Sequence, residues 1–206
     1  MVSQDNDNAS KLRILRAAEA EFAQKGFDGA RVDAIAAQAG VNKALLSYYF
    51  KSKAGVLAAL FEDFFLQLKT EKGQIPRPDD PDRQSDYWRA VIRQVFSVTR
   101  SRLDLLRVVL LEELKGGPGH DRVVRRWRTE WEAAFSAAEG AVPPRLDQAV
   151  FSFFFEDLNM ILFLLLNEKW SAAMDRPPAE SEEAFFRLVH AQSEASWNRK
   201  GDHHVP

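Results

Sequence analysis

The chain has 206 residues, 46% of them apolar and 28% charged, with a formal net charge of −2. That accommodates one large or two modest domains with a real core. It contains no Cys, which excludes a disulfide framework and a thiolate metal site. The near-neutral balance argues against a wholly basic nucleic-acid coat, but the charge is uneven. Residues 1–55 carry eight Lys/Arg against six Asp/Glu, and residues 56–206 carry twenty against twenty-four.

The first ten residues are polar and acidic without an apolar run, so no secretory leader is expected and a cytoplasmic location is the default. No sustained alternation of apolar and polar residues occurs, and the fold class expected is all-α. The first helix is predicted over about 10–25, with Ile14, Leu15, Ala18 and Phe22 in one stripe and Gly26 ending it. A second follows over about 32–39, with Ile35, Ala36 and Ala39 inward and Gly40 as its stop. A third covers about 43–49 behind Asn42, whose side chain can accept from an orphan amide at a helix start. A fourth opens at 52–53 and runs to about 72.

Residues 73–83 are rich in Pro and Asp and read as a loop. Helix five is predicted over 85–100. Helix six, over 103–115, is apolar nearly all round and is expected to be central. Helix seven spans 121–139, helix eight 145–170 and helix nine 181–198. The division expected is 1–55 for an N-terminal domain and 56–206 for the remainder.

The order of residues in the first sixty resembles the tetracycline-repressor (TetR/AcrR) family of bacterial regulators. The resemblance is carried by Ala17, Ala18 and Phe22, by Gly26-Phe27, by Ile35-Ala36 and Ala39-Gly40-Val41, and by Leu46, Tyr48, Phe50 and Lys53. These positions interlock over about 12–60; beyond them only the number and layout of helices match. The resemblance implies an N-terminal three-helix DNA-binding domain with a helix-turn-helix, joined by helix four to a C-terminal helical ligand-binding and dimerisation domain. It further implies a homodimer through the last two helices, a near-palindromic double-stranded operator, repression, and release by a small-molecule effector. The chain departs from the family at two places. Arg31-Val32 stands where Ser or Thr is common, and Ser47-Tyr48-Tyr49-Phe50 stands where the family often has Tyr-x-His-Phe. The alternative these departures raise is a helical interaction protein that keeps the fold without binding an operator.

The DNA-facing candidates are Arg31, Val32, Asn42, Lys43, Ala44, Leu45, Ser47, Tyr48, Tyr49 and Lys53. Asn42 and Lys43 sit at a helix N-terminus, where exposed amides and the helix dipole favour phosphate. Lys43 is placed to hold a phosphate or to reach a guanine edge, and Leu45 to meet a thymine methyl. Ala44 is small enough for close approach of the backbone. Tyr48 and Tyr49 are expected to clamp phosphates, their plainer alternative being packing. Lys53 matches a position that grips the backbone in the family.

In the C-terminal half, Trp88, Arg107, Glu112, Trp127, Trp131, Glu156 and Asn159 are the ligand-binding candidates, as aromatic walls and polar anchors. Phe154, Leu158, Leu162, Phe185, Phe186, Val189 and Trp197 are the candidates for a dimer seam. The apolar run 150–166 is interrupted by Glu156, Asp157 and Asn159 and falls short of a membrane span. No Gly-rich phosphate loop and no nucleophile elbow is present, and none of the four His follows a Glu by three positions. No catalytic residue, metal site or cofactor is expected.

Overall fold

The computed structural model describes residues 2–80, 83–116, 121–136, 149–150 and 152–201, with side chains at all of these except 2–6, 131, 134–136, 156 and 193–201. The expected all-α class is the one observed, with no strand among the described residues. The elements are α1 (Val2–Gly29), α2 (Val32–Ala39), α3 (Lys43–Phe50), α4 (Lys53–Gly73), α5 (Gln84–Ser101), α6 (Leu103–Leu114) and α7 (Arg122–Ser136). A π-wound turn over Ser152–Asp157 leads into α8 (Leu158–Ala173), and α9 is Pro178–Gly201.

Several boundaries differ from the pattern-based ones. α1 begins at Val2 rather than at 10, and its regular winding breaks at Gly26, which adopts φ 68° and ψ 178°. The first turn of α9 starts at Pro178, a residue suited to that position because it lacks the amide that would go unpaired there. The start of the expected helix eight, at 145, lies outside the described residues, and within its span Ser152–Asp157 is π-wound rather than α.

Contacts divide the chain into two compact units, Met1–Leu66 with Asp104–Val142, and Gln67–Leu103 with Pro143–Pro206. The boundary expected at 55 thus falls inside the first unit. Its core is built from Ile14, Ala17, Ala18 and Phe22 of α1, Ile35, Ala36 and Ala39 of α2, Leu46 of α3, and Val56, Leu57 and Leu60 of α4, all buried. Leu15, expected in the buried stripe, is only half-buried, and Ala17 takes the inner place. α6 joins this unit through Arg107, which donates to the Ala23 carbonyl at 3.2 Å, and Lys115, just beyond the helix, lies 2.7 Å from Asp28. α7 joins it through Arg126, which pairs with Glu62 at 2.8 Å and covers the Phe65 ring. α6 is one-sided rather than enclosed: Leu105, Leu106, Val108 and Val109 are buried, whereas Leu111 and Leu114 are exposed.

The second unit packs α5, α8 and α9 around Phe96, Met160, Phe185, Phe186 and Val189. Phe163 stacks on Phe185 with centroids 4.0 Å apart. Phe185, Phe186 and Val189, expected at a dimer seam, are therefore committed to the chain's own core. Phe154 and Leu162 are exposed, Leu158 is half-buried, and the side chain of Trp197 lies outside those described. A buried polar cluster ties α8 to α9. The Ser171 hydroxyl donates to Asn167 Oδ1 at 3.1 Å, the Asn167 amide donates to the Pro178 carbonyl at 3.2 Å, and the Ser171 and Ser181 oxygens lie 2.7 Å apart.

Candidate nucleic-acid interface

α2 ends because Gly40 adopts a left-handed conformation, φ 65° and ψ 37°. There its amide bonds to Ala37 O at 3.2 Å and the Val41 amide to Ala36 O at 3.0 Å. These reversed bonds satisfy carbonyls that the helix end would otherwise orphan. Two residues later Asn42 caps α3, its Oδ1 accepting from the Leu45 amide at 2.7 Å. The turn between two short helices is thus fixed at both ends by one Gly and one Asn.

Leu46 is 1% exposed and anchors α3 in the core. With Leu46 inward, Asn42, Lys43, Ala44, Ser47 and Tyr48 are all exposed, and Tyr48 stands 70% clear. Leu45 is half-buried. Tyr48 and Tyr49 meet edge-on at 5.4 Å. Lys43 pairs with Asp33 on α2 at 2.9 Å, both side chains largely exposed.

At the start of α2, Arg31 is extended (φ −117°, ψ 132°) and makes no side-chain cap, while Val32 behind it is half-buried. The amide of Arg31 is held instead by Glu21, which accepts it at 3.3 Å and accepts Lys25 Nζ at 2.9 Å. The Lys25 hydrogen bond holds the buried Glu21 carboxyl below the usual carboxylate range, outweighing desolvation; the Arg31 amide adds to the effect.

Lys53 occupies a different place from the one expected. Its ammonium donates to the carbonyls of Phe27 at 2.6 Å, Ala30 at 3.0 Å and Asp28 at 3.3 Å, and lies 4.5 Å from the Phe27 ring centroid. Those contacts match the three donors a lysine has. Lys53 therefore staples the turn between α1 and α2, and its side chain faces backbone rather than open solvent.

Lys51, not among the expected DNA-facing residues, is exposed in the turn between α3 and α4. It adopts φ 66° and ψ −43°, and the Ser52 amide reaches Phe50 O at 2.7 Å across it, a tight three-residue turn. Gly55 makes that turn possible, since a Cβ there would stand 1.9 Å from the Phe50 carbonyl oxygen. Two lysines flank Ser52 in the sequence, but nothing local in that spacing says which of them finds distant carbonyls and which stays exposed.

The ligand candidates are distributed over both units. Arg107, Glu112 and Trp127 belong to the first unit, and Trp88 and Asn159 to the second. Arg107 is exposed and paired with Asp104 at 3.0 Å; Glu112 is buried and paired with Lys115 at 2.5 Å. Asn159 is exposed, contrary to its expected role as an inward anchor, and Trp88 and Trp127 are half-buried. The side chains of Trp131 and Glu156 lie outside those described. Among the described residues there is no group of three or more His, Asp or Glu placed to hold a metal ion, and no helix long and apolar enough to cross a membrane.

A capped short helix set after a Gly turn, on a three-helix core with its polar side outward, defines a helix-turn-helix domain. Residues 14–60 match the profile of the bacterial regulatory proteins of the tetR family. The chain is 37% identical over 109 residues to the HTH-type transcriptional repressor SCO4008 of Streptomyces coelicolor, which covers 53% of this chain and 52% of that one. The chain thus aligns with about half the length of this curated relative. Among solved structures, a putative TetR-family regulator from Mesorhizobium loti superposes with a TM-score of 0.57 at 17% identity, covering 92% of this chain and 95% of that one. The putative regulator SCO4942 from Streptomyces coelicolor does so at 0.55 and 24% identity, covering 89% and 97%. At these identities the structures speak for the fold alone.

Proposed function

We propose that this protein is a transcriptional repressor that binds a near-palindromic operator as a homodimer and is released from it by a small molecule. The observation that carries the DNA-binding part is the exposed row Asn42, Lys43, Ala44, Ser47 and Tyr48 on a helix capped and aimed by Asn42 and Gly40. The N-terminal amides and Lys43 suit phosphate, while the small Ala44 and Ser47 let the helix approach base edges. The sign of regulation follows the repressor to which the chain is similar.

Dimerisation is supported by the apolar side chains that α8 and its leading turn leave uncovered, Phe154, Phe155, Leu162, Leu166 and Trp170, with Leu188 on α9. A second copy of the same surface would cover them in a symmetric pair of helices from each chain. Release by an effector requires a ligand that prefers the state unable to hold DNA; a coupling of about 1–3 kcal/mol would weaken operator binding roughly 5- to 150-fold.

The test is selection of bound duplexes from a random pool, followed by binding measurements over a salt series. Recovery of a two-fold symmetric site with steeply salt-dependent affinity is expected. No retention of any duplex at low salt would favour an interaction protein that has kept the fold without the operator.

A further inference from the structure

Tyr49 was expected to clamp a phosphate, yet in this structure its hydroxyl already has an anionic partner. The Tyr49 hydroxyl donates to Asp7 Oδ1 at 2.8 Å, across forty-two positions of sequence. Lys11, one turn along α1 from Asp7, places its ammonium 5.1 Å from the centroid of the same ring. A phenol has one proton to donate, so the carboxylate holds the donor that a phosphate would need. Asp7 and Lys11 are both exposed on α1, and Tyr49 is half-buried at the end of α3. The hydrogen bond to Asp7 also pushes the Tyr49 phenol above its ordinary value.

Lys43 shows the same arrangement, held at 2.9 Å by Asp33 of its own chain. Two donors beside the exposed row of α3 thus carry carboxylates in place of the phosphates they would meet on DNA. Exposed contacts of this kind are weak, and a carboxylate oxygen resembles a phosphate oxygen in charge and in the hydrogen bond it accepts. They are exchangeable for that reason.

We propose that Tyr49 and Lys11 form a subsite for a DNA backbone phosphate, and that in the DNA-free protein the carboxylate of Asp7 fills it until the phosphate displaces it. This rests on the DNA-binding reading above. Lys11 joins the phosphate-binding residues, and the N-terminal part of α1 becomes a competitor of the operator. Asp7 would then oppose binding in two ways, by occupying Tyr49 and by repelling the phosphate that approaches it.

The experiment uses the full chain, a labelled duplex recovered by selection (or, failing recovery, a random-sequence duplex at low salt), and variants whose melting curves match the wild type. Asp7→Asn is expected to raise affinity roughly two- to fivefold, the scale of an exposed ionic contact. In a Tyr49→Phe background most of that gain should vanish. Asp5→Asn removes the same charge from the same helix and should give a smaller gain that survives Tyr49→Phe. Lys11→Gln should weaken binding and lower the salt slope by about one. Equal gains from Asp7→Asn and Asp5→Asn, or a gain indifferent to Tyr49→Phe, would reduce the effect to net charge and overturn the subsite. Weaker binding by Asp7→Asn would mean that Asp7 aims Tyr49 at DNA rather than competing with it. Inorganic phosphate added at constant ionic strength separates the ligand sources. Displacement of duplex beyond that caused by chloride marks a site for free phosphate, and overturns the assignment to the DNA backbone. If neither the wild type nor Asp7→Asn binds any duplex, the DNA-binding reading itself falls; if both bind equally, only the subsite does.

Discussion

Lys53 and Phe27 are joined twice: the lysine ammonium donates to the Phe27 carbonyl at 2.6 Å and lies 4.5 Å from the ring centroid. With Ala30 and Asp28 accepting as well, this side chain organises the turn that precedes α2. Lys53→Met should therefore lower the thermal midpoint of the protein and leave the salt slope of DNA binding nearly unchanged. Lys51→Gln should do the reverse, keeping the midpoint and lowering the slope by about one. Thermal melts and binding isotherms on the two variants separate these roles; a reduced slope in a normally folded Lys53 variant would return that residue to the DNA backbone.

Asn42 caps α3 and also lies in the DNA-facing row proposed above, and two substitutions separate the two roles. Asn42→Ala removes the cap on the Leu45 amide and should cost about 1 kcal/mol in a denaturant titration. Asn42→Asp keeps an acceptor at that position and suits the helix dipole, so the fold should be as stable as wild type. Duplex binding should nevertheless weaken, because the new carboxylate faces the phosphate. Unchanged affinity for the Asp variant would place the α3 N-terminus away from DNA.

The proposed dimer surface lies mainly on α8 and its leading turn, with Leu188 of α9 beside it. Leu166→Glu or Trp170→Glu changes an exposed apolar position and should give a folded monomer in sedimentation. Val189→Glu instead buries a charge in the cluster around Phe96 and should unfold the second unit. A wild-type protein that sediments as a monomer at micromolar concentration would remove the need for the surface to be covered.

Glu21 sets an acid limit on the first unit. Its folded value lies below the ordinary 4.5 because Lys25 and the Arg31 amide favour the carboxylate. A carboxylate shifted in this direction contributes stability above its unfolded value, and that contribution is lost as pH falls through the folded value. The difference in thermal midpoint between wild type and Glu21→Gln should be constant near neutrality, shrink once pH drops below about 4.5, and vanish in stronger acid. A difference that persists in acid would mean packing, rather than charge, holds the start of α2.

The helix-turn-helix half was legible in the sequence where local chemistry decides the outcome. Gly40 and Asn42 each mark a helix end by a mechanism that needs no tertiary contact, and both ends fall where expected. Side-chain partners were less legible, because long flexible cations choose among distant acceptors. Nothing in the neighbourhood of Lys53 announces the carbonyls of Phe27 and Ala30, and nothing near Tyr49 announces Asp7. Apolar periodicity identified Phe185, Phe186 and Val189 as buried but could not say against what. A helix stripe facing its own core and one facing a second copy have the same period. The overlooked Lys51 and the reassigned Lys53 stand two residues apart, and the turn geometry fixed by Gly55 separates their roles.

The cluster of Asn167, Ser171 and Ser181 between α8 and α9 has a consequence for how the second unit can deform. Apolar faces alone tolerate sliding, since one methyl group replaces another along the groove. Here a slip of one helical turn, about 5.4 Å, would strand two hydroxyls and an amide in a dry interior at about 1–3 kcal/mol each. The pair of helices is thereby indexed like a ratchet with one seated tooth. Replacing all three groups by apolar residues of similar size should leave stability nearly intact while allowing neighbouring registers to be populated, and proton-exchange protection along α9 would then become uneven where it had been uniform.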